Sequence, residues 1–185
     1  IGLLTLTYQL TASILQPMVG FYTDKHPKPY SLVVGMGSTC AGLLLLSHAH
    51  TFPLLLLAAS MVGLGSSIFH PESSRVARMA SGGRHGLAQS IFQVGGNAGT
   101  ATGPLLAAIV IFPFGQGSLA WFSLAALLAM FILWKVGNWY SQQHRSQKTH
   151  IAPKTSSLSR GRIALALGVL LLLITSKYLY LASLT

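Results

Sequence analysis

The stretch QVGGNAGTATGPLLAA, residues 93–108, decides the fold. It holds four glycines and one proline inside a longer apolar segment. A phosphate-binding glycine loop would need a strand before it and a lysine after it, and the sequence has neither. Gly95, Gly99 and Gly103 recur every four residues and so share one face of a helix. The spacing predicts a helix that another helix can approach closely, kinked at Pro104.

The composition indicates a protein whose solvent is the lipid bilayer. Of the 185 residues, 51% are hydrophobic and 8% are charged, whereas soluble domains carry about 25% charged residues. Asp24 and Glu72 are the only acids. The net charge of +10 does not indicate nucleic-acid binding, because the basic residues lie between apolar runs and not on one soluble face.

Six segments meet the length of about 20 mostly apolar residues that a membrane-crossing helix needs. They are residues 1–22, 30–47, 52–70, 87–112, 118–136 and 163–183. Eleven of the twelve lysines and arginines fall in alternate connections or at the span ends beside them. The positive-inside rule places those connections in the cytoplasm.

The polar, basic and serine-rich segment 137–162 is typical of a mobile cytoplasmic linker. Residues 1–136 are then the transmembrane helices of one bundle, and residues 163–185 are the first helix of a second bundle. Trp121, Trp134, Trp139 and Tyr140 are expected at the membrane interface. The sequence begins and ends inside apolar runs, so we expect a fragment truncated at both ends.

Two motifs resemble those of the major facilitator superfamily. The pattern Gly95-x3-Gly99-x3-Gly103-Pro104 resembles the antiporter motif of the fifth helix, with alanines at its two closing positions. The segment GFYTDKHPK, residues 20–28, resembles the loop motif between helices two and three, with Pro27 in place of a glycine. The matched residues of this second motif are Gly20, Asp24, Lys25 and Lys28.

The resemblance implies an all-α integral membrane bundle in which the six spans correspond to helices two to seven of twelve. Within the superfamily, residues 63–97 resemble the fosmidomycin resistance exporters of the bacterial inner membrane. That resemblance implies proton antiport of a small anionic phosphonate antibiotic through alternating access. The implied partners are the drug, protons, the lipid bilayer and the remainder of the transporter. Two alternatives stay open: a non-transporting fragment, or a carrier for another small organic solute.

Polar groups inside spans are candidate cavity residues, because transporters bind substrate near the bilayer midplane. The candidates are Tyr8, Gln9, Gln16, Gln89, Gln93, Asn97 and Lys177. Gln89, Gln93 and Asn97 recur every four residues on one face of the fourth span. Lys177 would pair with an anionic substrate. The alternatives are hydrogen bonds between helices for the amides and snorkelling to the interface for Lys177.

His70, Glu72 and Arg75 follow the third span at its cytoplasmic end. Glu72 and Arg75 are three residues apart and can pair on one helix face. Pro71 and Glu72 suit the first positions of a new short helix. We expect Glu72, with His70 nearby, to couple protons, because coupling needs a group that changes charge. The alternative is a structural cap and ion-pair cluster.

Asp24 with Lys25 is expected to act as a gate, since a carboxylate at a span end can pair with a neighbouring helix terminus or arginine. The alternative is a simple helix cap. We expect no metal site, because His48 and His50 have no further ligand beside them. The sequence contains neither an HExxH nor a GxSxG motif, so we do not expect an enzyme. No cofactor is expected beyond the proton gradient.

Overall fold

The computed structural model describes residues 2–147 and 159–183, and the regular structure within those ranges is helical. The long helices are α1 (Gly2–Lys25), α2 (Ser31–His48), α3 (Phe52–Ala80), α4 (His85–Leu106), α5 (Leu119–Gln147) and α6 (Arg160–Ser183). Helix α4 continues into a π-helical turn, Ala107–Ile111, and a last turn, Phe112–Phe114. Each predicted span is a helix, and the all-α fold class is confirmed.

Among the described residues, four helical segments are long and apolar enough to cross a membrane: Ser31–His48, Phe52–Ala80, His85–Phe114 and Gln116–Gln143. Helices α1 and α6 are not among them. Helix α1 has 24 residues, but its glutamines, threonines and tyrosines lower its hydropathy. In α6, the apolar stretch among the described residues is Gly161–Ser176.

Within residues 1–147, α3 is the central helix of the bundle. It packs against α1 on one side and α2 on the other, and α2 packs against α5. Glycines allow both approaches to α3. A Cβ on Gly63 would lie 2.8 Å from the carbonyl oxygen of Tyr8 in α1, and one on Gly65 would overlap Gly35 and Thr39 in α2. The core is therefore a helix–helix interface of small residues.

The helices bring the basic connections together at one end of the bundle, which we call the basic end. Tyr30, before α2, donates a hydrogen bond to Asn138 of α5 at 2.7 Å. Arg75 of α3 forms an ion pair with Asp24 of α1. At the opposite end, Gln116 donates to the carbonyl oxygens of Leu46 and Ala49, at 2.6 and 2.8 Å.

Two helix boundaries differ from those expected from the sequence. Residues 137–162 were predicted as a linker, and within that range α5 continues to Gln147 and α6 begins at Arg160. Helix α5 continues because it is held at the basic end: a Cβ on Gly137 would lie 2.8 Å from the carbonyl oxygen of Pro29. Pro71 does not begin a new helix, since α3 runs through it from Phe52 to Ala80.

The chain divides after Gln147 into two units. In the second unit, Ser159 precedes α6 and caps it, accepting a hydrogen bond from the Arg162 backbone N–H at 3.5 Å. The described side chains of residues 161–176 are exposed. The middle of the predicted linker, residues 148–158, lies outside the described residues.

Candidate functional site

A cluster of three charged side chains lies at the basic end, where α1, α2 and α3 meet. Arg75 of α3 is its centre. One guanidinium nitrogen, Nη1, donates to Glu72 Oε1 at 2.7 Å, and the other, Nη2, pairs with Asp24. These pairs join the two acids of the chain through one cation.

Glu72 is the buried member of this cluster, with 0% of its surface exposed. Both of its carboxylate oxygens have donors, since Ser31 Oγ donates to Oε2 at 2.7 Å and Arg75 donates to Oε1. A buried carboxylate is stable only when it is paired and hydrogen-bonded in this way. The Glu72–Arg75 pair expected from the three-residue spacing is present.

Backbone and hydroxyl groups of α1 complete the Arg75 site. Arg75 Nη1 donates to the carbonyl oxygen of Thr23 at 2.9 Å, and Nη2 donates to its hydroxyl at 3.2 Å. Tyr140 of α5 is 1% exposed and interacts with Arg75. The guanidinium therefore contacts groups from α1, α3 and α5.

Ser31, Thr23 and Tyr140 are site residues that sequence reasoning missed. Tyr140 was expected at the membrane interface and is instead buried beside Arg75. Its position directly after Trp139 gave no signal for this role. Ser31 and Thr23 resemble the other hydroxyl residues of the apolar segments, and only the helix packing places them on the charged groups.

The predicted gating residues separate into two groups. Gly20 and Asp24 line a cavity of about 240 Å³ with Ser74, Arg75 and Arg78. Asp24 stays 74% exposed although it pairs with Arg75. The lysines point elsewhere: Lys25 lies over the Phe21 ring at 4.2 Å, and Lys28 lines a different cavity, between α1 and α2.

His70, the predicted companion of Glu72, is exposed. Its ring makes an edge contact with Phe69, with ring centroids 6.3 Å apart. Because α3 is continuous, residues 70 and 72 project from different faces of one helix. The structure thus brings Arg75 to Glu72 and leaves His70 outside the cluster.

The predicted cavity residues are distributed along α1 and α4. The Tyr8 hydroxyl donates to Ser66 Oγ of α3 at 3.4 Å, while Gln9 is exposed and Gln16 is half-buried. On α4, Gln89 accepts a hydrogen bond from Ser74 at 3.0 Å. It lines a cavity of about 440 Å³ with Ser74, Arg78 and His85.

Gln93 and Asn97, the other two members of the α4 stripe, are exposed. Lys177 belongs to α6, but its side chain is not described by the structure. The structure therefore joins one of the predicted cavity residues, Gln89, to the basic end.

The glycine face of α4 is open within the described part of the chain. A Cβ built on Gly95, Gly99 or Gly103 would meet no atom within 4 Å. Pro104 lies inside α4 and the π-helical turn begins three residues later. The backbone N–H of Ala107 is shared between the carbonyl oxygens of Gly103 and Pro104.

A comparison with protein families identifies the family of this chain. The model of the Major Facilitator Superfamily matches residues 1–185. The chain belongs to the major facilitator superfamily. This is a family of membrane transporters, and four helical segments of the described part of the chain are long and apolar enough to cross a membrane.

Two curated relatives of this superfamily chain are similar along most of it. The chain is 59% identical over 188 aligned positions to the fosmidomycin resistance protein of Escherichia coli (strain K12), covering 100% of this chain and 46% of that protein. It is 46% identical over 158 positions to the uncharacterized MFS-type transporter YfnC of Bacillus subtilis (strain 168), covering 84% of this chain and 39% of that protein. No solved structure shows significant similarity to the chain.

The chain spans less than half the length of the two curated relatives that it matches. The resemblance predicted from Gly95, Gly99, Gly103 and the Asp24 loop is confirmed. In the described structure these two motifs have different surroundings, since Asp24 is ion-paired and the glycine face of α4 is uncovered.

Proposed function

We propose that this chain is part of a secondary active transporter that exports a small anionic antibiotic, a phosphonate such as fosmidomycin, by proton antiport. The 59% identity to a fosmidomycin resistance protein supports efflux of this substrate class. Export requires the full-length protein, because superfamily transporters bind substrate between two bundles and rock them around the site.

The observation that carries the proposal is the cluster in which Arg75 bridges exposed Asp24 and buried Glu72. Alternating access needs contacts that form in one state and break in the other. Asp24 is 74% exposed, so its carboxylate can accept a further donor from the opposite bundle. Asp24 then acts as the gate, and Arg75 holds it in place.

Glu72 is the proton-coupling group in this scheme. With Asp24 and Glu72 ionised, the two carboxylates and one guanidinium carry a net charge of −1, and one proton on Glu72 makes the cluster neutral. Protonation removes the charge that Arg75 pairs with at Oε1 and leaves Arg75 to Asp24 alone. A proton bound at Glu72 is therefore linked to the strength of the gate.

The location proposed for this cycle is the bacterial inner membrane, with the basic end in the cytoplasm. The lysines and arginines of the first and third connections support this orientation through the positive-inside rule. The substrate cavity would be lined by Tyr8, Gln9, Gln16, Gln89, Gln93 and Asn97. Lys177 would supply the cation for a phosphonate.

The test is Glu72→Gln in the full-length protein reconstituted in vesicles. Glutamine keeps the size of the side chain and an acceptor for Ser31, but it cannot bind a proton. We expect antibiotic-driven proton movement to be abolished while membrane insertion is unchanged. His70→Gln is the matched control, since His70 is exposed and outside the cluster, and it should keep coupling. Wild-type proton-linked export by Glu72→Gln would remove Glu72 from the mechanism.

A second candidate is a carrier for another small organic solute. The 46% identity to an uncharacterized transporter supports this alternative. Cells that express the full-length gene should grow in the phosphonate antibiotic without an uncoupler and lose this resistance with one. If they are as sensitive as cells without the gene, while purified protein still couples protons to another solute, the second candidate is correct.

A non-transporting fragment is the third alternative, supported by a chain that spans 46% of its relative. Expression of residues 1–185 alone separates it from the first two. Resistance from the full-length gene but not from residues 1–185 would assign transport to the complete protein only.

A further inference from the structure

A cavity of about 660 Å³ lies between α1 and α2 near the basic end. Leu15, Met18 and Val19 of α1 form one wall, and Val34 of α2 lies on the other. Ile68 of α3 lies at the floor. We call this cavity the α1–α2 groove.

The groove exists because α1 and α2 are held apart by α3. Helix α3 packs extensively against each of them, whereas α1 and α2 make little direct contact with each other. Their connection closes the gap only at the basic end, where Lys28, Pro29 and Tyr30 line it. An unfilled gap of this size would forfeit dispersion contacts along both walls.

The groove faces away from the polar side of α1. Leu15, Met18 and Tyr22 lie along one side of the helix, and Gln16, Gly20 and Asp24 lie on the opposite side. Gly20 and Asp24 belong to the polar cavity beside Arg75. The polar side of α1 therefore meets protein and charge, while the groove side offers an apolar surface to the membrane.

A cation lies at the mouth of the groove. Lys28 lines it, and Lys25 is three residues away in sequence. Both acids of the chain, Asp24 and Glu72, are paired with Arg75. Among the described residues no salt bridge neutralises Lys28, so its charge is available to an anionic group at the membrane surface.

We propose that the α1–α2 groove binds an acyl chain of an anionic phospholipid from the leaflet at the basic end, with Lys28 on the lipid phosphate. The apolar walls accept the chain, and the lysine selects the headgroup. A lysine near an anionic membrane surface contributes about 1 kcal/mol, which corresponds to about fivefold preference. The proposal depends only on membrane insertion, and it stands whether or not the transporter exports a phosphonate.

The bound chain has a direct connection to the charge cluster. Thr23 and Ser31 line the groove, and the same residues bind Arg75 and Glu72. A lipid in the groove thus supports the walls from which Thr23 and Ser31 reach the cluster.

The first test identifies the occupant by photo-crosslinking. A benzophenone amino acid replaces Tyr22, an aromatic residue that lines the groove, in the full-length protein, which is reconstituted in vesicles of equal parts phosphatidylglycerol and phosphatidylcholine. We expect phospholipid adducts at residue 22, with phosphatidylglycerol exceeding phosphatidylcholine about fivefold. Lys28→Gln should reduce this ratio to about one, since the cation is lost.

Lys135→Gln is the matched control, because Lys135 is an exposed lysine that lies over the Phe131 ring at 4.9 Å. It should leave the lipid ratio unchanged. An adduct with a protein segment would show that another helix or a second copy covers the groove, and would overturn the proposal. Absence of any phospholipid adduct, or a ratio unaffected by Lys28→Gln, would also overturn it.

The second test fills the groove. Val34→Trp places a large side chain in the cavity, and native mass spectrometry should find one phosphatidylglycerol fewer on the folded protein than on wild type. Val94→Trp on α4 is the control, since Val34 and Val94 are similarly exposed, at 63% and 67%. An unchanged lipid count in Val34→Trp would contradict occupation of the groove.

Discussion

Helices α3 and α4 both carry glycines on faces suited to close helix approach, and they differ in what those faces meet. On α3, added Cβ atoms at Gly63 and Gly65 would collide with α1 and α2. On α4, added Cβ atoms at Gly95, Gly99 and Gly103 would meet nothing within 4 Å in the described structure. A small-residue pattern therefore indicates that a face can be approached, but it does not identify the approaching helix.

The same contrast holds for polar groups. The basic end of α3 carries Glu72, whose two oxygens have donors from other side chains. Gln93 and Asn97 on α4 are exposed. Glu72 on α3 thus has its hydrogen-bond partners within the described structure. The exposed polar side chains of α4 are available to substrate, lipid or other helices of a full-length transporter.

Gly65→Val tests most directly whether the covered glycine face of α3 requires a small residue. Because the new side chain overlaps Gly35 and Thr39, we expect the protein to lose about 3 kcal/mol of stability and most of its folded yield. Thermal unfolding and size-exclusion profiles of the detergent-solubilised full-length protein measure this. Gly117→Val, in the turn before α5 and with nothing within 4 Å, is the control. Equal yields from the two variants would show that α2 and α3 do not pack this closely.

Ser31→Ala tests the polar side of the same region. It removes the donor to Glu72 Oε2, and a buried carboxylate oxygen without a donor should cost about 2 kcal/mol. Ser90→Ala is the control, since the Ser90 hydroxyl donates within its own helix, to Gly86 at 2.9 Å. Unfolding temperatures of the two variants should differ clearly. Matching values would mean that Ser31 does not support Glu72.

Gly99→Leu tests whether another helix covers the glycine face of α4 in the full-length protein. In the full-length protein we expect a lower folded yield, with a loss of about 1 to 2 kcal/mol, because another helix should approach this face. Gly99→Ala, which keeps the residue small, should retain nearly all of the yield. Normal yield and activity from Gly99→Leu would show that the face stays uncovered.

Gln93→Ala should have the smallest effect on folding. The side chain is exposed, and such substitutions usually change stability by less than about 0.5 kcal/mol. If Gln93 lines the substrate cavity, its loss should lower antibiotic export at unchanged thermal stability. Unchanged export would remove Gln93 from the cavity.

Much of the architecture was predictable because long apolar runs leave few alternatives. Backbone groups in lipid must be paired internally, so each run has to be a helix. The ends were less predictable. Sequence hydropathy falls after residue 136, yet α5 continues to Gln147, since Gly137, Asn138 and Tyr140 are held by contacts with other helices.

The candidate site was predictable only in part. The spacing of Glu72 and Arg75 on one helix gave their ion pair, and the Asp24 loop motif gave a gate residue. No spacing rule connects Ser31 or Tyr140 to Arg75, because these residues come from other helices. His70 was placed with Glu72 by sequence proximity, but neighbouring positions of a continuous helix point in different directions.

The amino-acid sequence determined the helices, their apolar character and the family. Backbone hydrogen bonds of a helix form within one segment, and the glycine and charge motifs that identify the family also lie within short segments. Tertiary structure alone decided which glycines are covered, which acid is buried and where a groove opens. Those features depend on the distance between helices that are far apart in sequence. Packing sets that distance, and a linear pattern of residues does not record it.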